Sequence, residues 1–269
     1  MRTRTTVSAG VLSASMLLAL AACSSGTTST SGESAAASGE PAGSEQVLTD
    51  YFTAFATQDS GDMKPMLKSS APGSPAFLYA RHQINGALAG ESANVSSDPS
   101  EVTVSGDSVT LVDEALLDED SSEAERQEAT TVYKDFTFAP DGRLDTWTSE
   151  PGGPLAPRVK AQSGSGSSGK VTVKASTSYV TNDGDLAVTY TVRNKSNDKA
   201  QLTPDGYLNP NRRQVDVSTY TGMLDLSPGA FADERASIDN GQPGGKLIFQ
   251  VYFVGSTSPM TSITVPIAK

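Results

Sequence analysis

The stretch "DLAVTYTVRNKS", residues 185–196, alternates apolar and polar side chains with the period of a β-strand. The apolar side chains that would share one face are Leu186, Val188, Tyr190 and Val192. The polar side chains that would share the opposite face are Thr189, Thr191 and Arg193. This alternation predicts a strand with one apolar face.

Similar strand-like stretches fill the C-terminal part of the chain, and turn signals separate them. The other stretches are "KVTVKAS" (170–176), "QVDVSTY" (214–220), "KLIFQVYFVG" (246–255) and "MTSITVPIA" (260–268). The turn signals are Asn182-Asp183-Gly184, Pro204-Asp205-Gly206, Ser227-Pro228-Gly229 and Gln242-Pro243-Gly244. Short alternating strands at this spacing predict an all-β sandwich over residues 170–269.

The preceding part, residues 44–160, changes from a helical period to a strand period. Three stretches are predicted to form helices, namely "SEQVLTDYFTAFATQD" (44–59), "SGDMKPMLKSS" (60–70) and "SPAFLYARHQINGALAG" (74–90). Ser74 followed by Pro75 is typical of a helix start. The later residues alternate around turns at 105–107 and 140–142, which favours two hairpins. Helices followed by an antiparallel sheet predict an α+β domain, with the sole tryptophan, Trp147, in its core.

The first part also resembles a known superfamily. "YFTAFATQDSGDMKPMLKSSAP", residues 51–72, is similar to the opening helices of cone-shaped, nuclear-transport-factor-like (cystatin-like) domains. The resemblance implies three helices followed by a strongly bent antiparallel sheet over residues 45–150. The superfamily includes isomerases, dehydratases, ligand binders and non-catalytic modules, so the resemblance predicts a fold and leaves the function open.

The second part resembles another family. The order "LAVTYTVRNKSN … SPG … PGGKLIFQVYFV" is similar to immunoglobulin-like domains of unknown function that recur in Gram-positive lipoproteins, over most of residues 170–267. The resemblance implies an architecture and no catalytic residue.

The N-terminus carries the pattern of an export signal. Arg2 and Arg4 precede an apolar run over residues 11–22, which is too short to span a bilayer as a helix. The run ends in Leu20-Ala21-Ala22-Cys23, which resembles the lipobox of bacterial lipoproteins. The resemblance implies a signal peptide over residues 1–22, cleavage before Cys23, a diacylglycerol on the Cys23 sulfur, and an anchor on the outer face of the cell membrane. Cys23 is the only cysteine, so a disulfide within the chain is excluded.

Two segments rich in serine and glycine divide the mature chain. Residues 24–43 contain no large apolar side chain, so residues 23–43 are predicted to be a lipidated cysteine followed by a disordered tether. "AQSGSGSSG", residues 161–169, has the composition of an interdomain linker.

Charge differs between the two predicted domains. Residues 44–160 carry 20 Asp and Glu residues against 8 Lys and Arg residues, whereas residues 170–269 carry 9 against 10. This acidity argues against nucleic acid as a partner and against a basic patch on anionic lipid. Membrane contact is therefore expected from the lipid anchor.

Candidate chemical groups are few. The only histidine, His82, could act as a base in a cone-domain pocket with Asp50, Asp59 or Asp62, or it could be a histidine of the helix surface or the domain edge. The acidic segment 113–128 could bind calcium or a basic partner, or it could be a solvated hairpin end, and it lacks the spacing of a calcium loop. No metalloprotease, hydrolase or nucleotide-binding motif occurs, so no cofactor and no metal are predicted.

Three functional hypotheses follow. The leading hypothesis is a non-catalytic lipoprotein of the cell envelope that binds a partner protein or an envelope ligand. The second is a cone domain that holds a small apolar ligand or acts as an enzyme through His82 and a carboxylate. The third is a structural spacer. A core closed by Phe52, Phe55, Phe77 and Trp147 would favour the first hypothesis, and a cavity of several hundred Å³ converging on polar groups would favour the second.

The lipid anchor gives the first testable prediction. Replacing Cys23→Ser should abolish metabolic palmitate labelling and leave protein of precursor size, because the acylated sulfur and the processing site are lost together. Ser25→Ala is the matched control and should keep both labelling and processing. Unchanged labelling of the Cys23→Ser protein would contradict the anchor.

Overall fold

Antiparallel sheets make up most of the chain, and four helices accompany them in the residues that the structure describes. The computed structural model describes residues 43–94, 99–113, 116–117, 121–255 and 260–269. These residues all belong to one compact unit. The predicted signal peptide, Leu20, Ala21, Ala22, the lipid attachment at Cys23 and the predicted tether up to residue 42 lie outside the described residues.

Helices and a first sheet come before the longer sheets in the chain. The helices are α1 (Ser44–Ala56), α2 (Lys64–Ser69), α3 (Pro75–Ser92) and α4 (Glu123–Glu128). The strands of the first sheet are β1 (Glu101–Ser105), β2 (Ser108–Val112), β3 (Thr130–Phe138), β4 (Leu144–Glu150) and β5 (Gly153–Pro154). The remaining strands are β6 (Val159–Ala161), β7 (Ser165–Ser168), β8 (Val171–Val180), β9 (Leu186–Asn194), β10 (Ala200–Leu208), β11 (Gln214–Val215), β12 (Ser218–Thr219), β13 (Leu224–Leu226), β14 (Phe231–Ile238), β15 (Lys246–Phe253) and β16 (Thr261–Pro266).

The first sheet follows the chain order β1-β2-β3-β4-β5. Ser105 pairs with Ser108 across a tight turn, as the first predicted hairpin requires. The second predicted hairpin joins β3 to β4 around residues 140–142. Helix α3 begins as predicted, because the Ser74 hydroxyl accepts a hydrogen bond from the Phe77 N–H at 3.1 Å. Local turn and cap chemistry therefore determine where these hairpins turn and where helix α3 begins.

A cluster of aromatic rings fills the space between helices α1 and α3 and the first sheet. The Trp147 ring on β4 meets those of Tyr51, Phe52 and Tyr79 at centroid distances of 5.4, 5.6 and 5.4 Å. Phe52 is fully buried and Trp147 nearly so, which confirms the core position predicted for the tryptophan. Edge-to-face contacts of this kind add to the free energy of apolar burial.

Two further sheets pack face to face around a second core. One has the order β12-β14-β9-β8-β6 with β7 also on β8, and the other has the order β11-β10-β15-β16 with β13 also on β10. Alternate residues of β9 and β15, such as Val188 and Phe249, are fully buried between them. The sequence did predict β8, β9, β15 and β16, whereas no strand was predicted over β10 or β14.

Strand β9 is buried on both faces. Tyr190 points into the core between the two sheets, and the Thr189 side chain on the other face is also fully buried. Helix α3 covers this second face, and it also packs against β8, β14 and β4. Helix α3 thus lies between the first sheet and the sheet that contains β9.

The segment 161–169 differs from the linker that its composition predicts. Residues 165–168 form β7, which pairs with β8 from Ser165↔Lys174 to Ser168↔Val171. A Cβ added at Gly164 or Gly166 would overlap the backbone of β16, so glycine permits this close approach. A composition rich in serine and glycine is therefore compatible with a closely packed strand as well as with a linker.

The signal Pro204-Asp205-Gly206 is a bulge within β10 and not the predicted turn. β13 pairs with β10 up to residue 202 and β11 pairs from residue 207, so the intervening residues face no strand on that side. A proline without an N–H donor and a glycine with φ of 149° fit such a gap.

Arg158 connects the first sheet to β8. Its Nη1 donates to Ser149 Oγ on β4 at 3.0 Å, and its Nη2 donates to Tyr179 Oη on β8 at 2.6 Å. Nη2 also donates to Asn182 Oδ1 at 2.6 Å, and Nε donates to the Val180 carbonyl at 2.9 Å. With 9% of its surface exposed, the guanidinium is buried and well satisfied.

Arg158 gives the second prediction. Arg158→Lys should lower the free energy of unfolding by about 2–3 kcal/mol, because an ammonium cannot make the forked set of bonds and leaves buried acceptors unpaired. Chemical denaturation followed by Trp147 fluorescence measures the change. The matched control is Arg193→Lys on the exposed end of β9, which should change stability by no more than about 0.5 kcal/mol. Equal effects of the two substitutions would contradict the bridging role.

Candidate functional site

A cavity of about 230 Å³ opens where helix α3 meets the sheet that contains β14. Helix α3 and the α1–α2 connection form one wall, and the other wall comes from β14 and the segment after β12. Its polar and aromatic lining includes Asp59, Gln83, Glu91, Tyr220 and Arg235. We refer to it as the junction cavity.

Small residues on α3 make room for this cavity. Gly86 and Gly90 stand four positions apart, on one side of the helix, and both line the cavity. A Cβ added at Gly86 would lie 3.4 Å from Arg235 Cδ. The helix backbone can therefore approach β14 closely, and the stem of Arg235 runs over the glycine.

Arg235 is the basic side chain that lines the cavity. Arg235 lies beside Thr189 in the pairing of β14 with β9, on the face toward α3. Its Nε is buried and has no hydrogen-bond partner among the described residues. A buried donor without an acceptor is unfavourable by roughly 1–3 kcal/mol.

A buried carboxylate holds the segment that carries Tyr220. Glu234 Oε1 accepts a hydrogen bond from Thr221 Oγ1 at 2.6 Å, and Glu234 is only 2% exposed. Burial raises the pKa of Glu234, and the Thr221 hydrogen bond partly opposes this rise. Tyr220 itself is 41% exposed and lines both the junction cavity and an adjoining cavity of about 240 Å³.

Two carboxylates stand at the helical wall of the cavity. Glu91 accepts hydrogen bonds from the Ser60 N–H at 2.7 Å and the Ser60 hydroxyl at 2.9 Å. Asp59 Oδ1 accepts from the N–H groups of Gly61 and Asp62 at 2.8 and 3.1 Å. These bonds fix the α1–α2 connection against the end of α3, so both negative charges have defined positions.

His82 lies beneath the cavity and is fully buried. Its Nδ1 is 3.0 Å from Thr177 Oγ1, which is in turn 2.7 Å from Thr189 Oγ1. Its Nε2 has no partner among the described residues. Burial lowers the pKa of His82 well below 6.5, and the charge of Arg235 lowers it further.

The structure does not bring His82 together with its proposed carboxylate partners. Asp50 accepts a hydrogen bond from Gln46 on the exposed side of α1, and Asp59 and Asp62 belong to the α1–α2 connection. No carboxylate in the described part of the chain is within hydrogen-bond range of His82. It is neither a helix-surface histidine nor a base facing a pocket, because α3 is covered on this side by β8.

The interior of the first region is largely filled. Phe52 and Trp147 are buried as expected, Phe55 is half-buried against Tyr79, and Phe77 is half-buried outside the main cluster. A cavity of about 180 Å³ remains at the edge, beside Phe55 and Leu111. This is well below the several hundred Å³ that would favour a small-ligand site inside the first region.

A larger hollow of about 360 Å³ lies on the β10–β15 face, beside the exposed side chains of Met223, Tyr252 and Met260. Among the described residues, no buried unpaired polar group lines it. The junction cavity is therefore the better candidate for specific recognition.

Two other expected features can be placed. The described part of the acidic segment 113–128 includes the exposed helix α4, which starts with a capping box between Ser122 and Glu125. Within the described ranges no group of acidic, histidine or cysteine side chains has the geometry of a metal site. No helix in those ranges is both long enough and apolar enough to cross a bilayer.

No sequence pattern singles out Arg235 or Tyr220. The available signals were Gly86 and Gly90 inside a helical pattern, which indicate a close approach of another element, and an arginine in a segment where no strand was expected.

A comparison with models of known protein families finds no match, and neither does a comparison with curated proteins.

His82 gives the third prediction. The unfolded chain takes up a proton at His82 below about pH 6.5, whereas the folded chain keeps it neutral, so the unfolded state binds more protons. The free energy of unfolding should therefore fall as the pH drops below 6.5, by up to about 1.4 kcal/mol per pH unit. The measurement is denaturation at several pH values for the native protein and His82→Asn, in which this contribution is absent.

Carboxylates titrate in both proteins, so the difference between the two pH profiles isolates His82. An independent reading needs no variant: the single imidazole signal of the folded protein should not titrate near pH 6.5. A signal that does titrate there would show that the ring is accessible.

Proposed function

We propose that this chain is a lipid-anchored protein of the cell envelope that binds a small polar molecule in the junction cavity without converting it. In this proposal its first region is a nuclear-transport-factor-like domain and its second an immunoglobulin-like domain. The order of three helices and an antiparallel meander supports the first assignment, and two sheets around one core support the second.

The observation that carries the proposal is the composition of the junction cavity. One wall holds Asp59 and Glu91 from the first region, and the other holds Tyr220 and Arg235 from the second. Each region alone would supply half a site. A spacer has no need of charged groups held in defined positions at an internal junction, so this arrangement favours a binding role.

The side chains of the cavity favour binding over catalysis. Its best-positioned polar groups are a guanidinium, two carboxylates with hydrogen-bonded oxygens, and the Gln83 amide. General acid–base catalysis favours a group that titrates near the working pH, and the candidate for that role, His82, is buried between α3 and β8 with a lowered pKa. The filled aromatic core likewise argues against an apolar ligand inside the first region.

The location rests on the N-terminal sequence. The run over residues 11–22 and Leu20-Ala21-Ala22-Cys23 support export, cleavage and acylation. An anchored body with a cavity open to solvent would sample small molecules outside the membrane. A partner protein on the same envelope surface is the competing occupant.

The fourth prediction tests the proposal by native mass spectrometry. The mature chain, exported with Cys23→Ser after a cleavable signal and purified gently, should carry a reproducible small-molecule mass. Tyr220→Ala should reduce that bound fraction, because it removes one wall of the cavity.

Tyr252→Ala is the matched control, since Tyr252 is also 41% exposed but lies on β15, beside the other hollow. It should leave the bound fraction unchanged. A bare protein mass would argue against a small ligand and would direct the search to crosslinked partners in intact cells. Loss of the mass only in Tyr252→Ala would place the ligand in the other hollow.

A further inference from the structure

We propose that Arg235 binds the carboxylate of a small zwitterionic molecule, such as an amino acid, whose ammonium group faces Asp59 and Glu91. This inference rests on the proposed function and specifies the ligand class of the same cavity.

A comparison of two arginines supports the carboxylate. Arg158 and Arg235 both lie where α3 and the first region meet the β8–β9–β14 sheet. The Arg158 guanidinium donates four hydrogen bonds, three to neighbouring side chains and one to a backbone carbonyl. Arg235 Nε, in contrast, is buried and has no hydrogen-bond partner among the described residues. The planar fork of a guanidinium matches a carboxylate with two parallel bonds, so a carboxylate is the acceptor that suits Arg235 best.

The position of Arg235 is set before any ligand arrives. Its backbone belongs to β14 and pairs with β9, and its stem passes within contact distance of the Gly86 position on α3. His82, which lies close enough for its pKa to be lowered by Arg235, stays neutral and adds no competing charge. A fixed donor loses little conformational entropy on binding, which favours affinity.

The opposite wall selects against a simple anion. Asp59 and Glu91 are exposed carboxylates on the cavity wall, and they are held by backbone and Ser60 donors. Their negative charges would repel a ligand that carries only negative charge and would attract an ammonium group. A molecule with both charges satisfies both walls.

The cavity volume limits the ligand size. About 230 Å³ is below the roughly 300–1,000 Å³ typical of sites for drug-sized molecules. A single amino acid or a compound of similar size fits this volume.

The experiment follows the Arg235 Nε–H signal by NMR in mature protein labelled on arginine. Arg235→Lys assigns the signal by its disappearance. The standard amino acids are titrated one at a time, and sodium chloride, sodium acetate and inorganic phosphate are titrated at matched ionic strength. At least one amino acid should shift the signal saturably, and acetate and chloride should not.

A variant series checks the chemistry by calorimetry with the amino acid that gives the largest shift. Arg235→Gln should weaken its binding by about tenfold or more, because the charge-assisted bonds are lost. Arg193→Gln, which removes an exposed arginine on the neighbouring strand β9, should leave binding unchanged.

The outcomes separate this inference from the proposed function. A saturable shift with phosphate or acetate but with no amino acid would overturn the zwitterion and leave a binding site for an anion. A co-purified mass that is sensitive to Tyr220→Ala while Arg235 responds to no probe would overturn the ligand class and leave the proposed function standing. The absence of both signals would overturn both.

Discussion

Helix α3 packs against two sheets at once, and the rest of the structure depends on this packing. One side of the helix places Tyr79 against Trp147 in the aromatic core, and another places His82 against Thr177 on β8. A helix that is buried on two sides cannot have a polar half, so small residues such as Gly86 replace the charged face of an ordinary surface helix. The two regions consequently form a continuous body, and residues 165–168 form a strand of a sheet where a free connection was expected.

Packing a helix on a sheet face that carries threonines and arginines also buries polar groups away from water. Thr177 and Thr189 hydrogen-bond to each other, and Arg158 donates to acceptors from both regions. Arg235 Nε remains without a partner among the described residues, as does His82 Nε2. Unpaired buried polar groups are uncommon in folded proteins, and those that persist need a physical explanation. For Arg235, the ligand proposed above would supply one.

The sequence predicts those parts of the fold that local chemistry determines. The hairpins around residues 105–107 and 140–142, the Ser74 cap and the alternation of β9 all follow from neighbouring residues. The packing of α3 on β9 does not follow from neighbouring residues. The period of β9 reveals one apolar face and cannot show that a helix covers its threonine face. The prediction of a linker from the serine and glycine content of residues 161–169 fails for a similar reason, since glycine suits both a linker and a close backbone contact. Arg235 acquires its significance only when β14 lies beside α3.

The junction cavity is the place where side chains from the two differently charged regions face each other. Residues 44–160 are strongly acidic and residues 170–269 are nearly neutral. Asp59 and Glu91 belong to the acidic region, whereas Arg235 belongs to the other, so the cavity wall changes sign from one side to the other. A molecule that carries both charges can pair each of them with a wall of opposite sign. Under the proposal above, neither region alone would bind such a molecule, because each provides a charge of only one sign at the cavity.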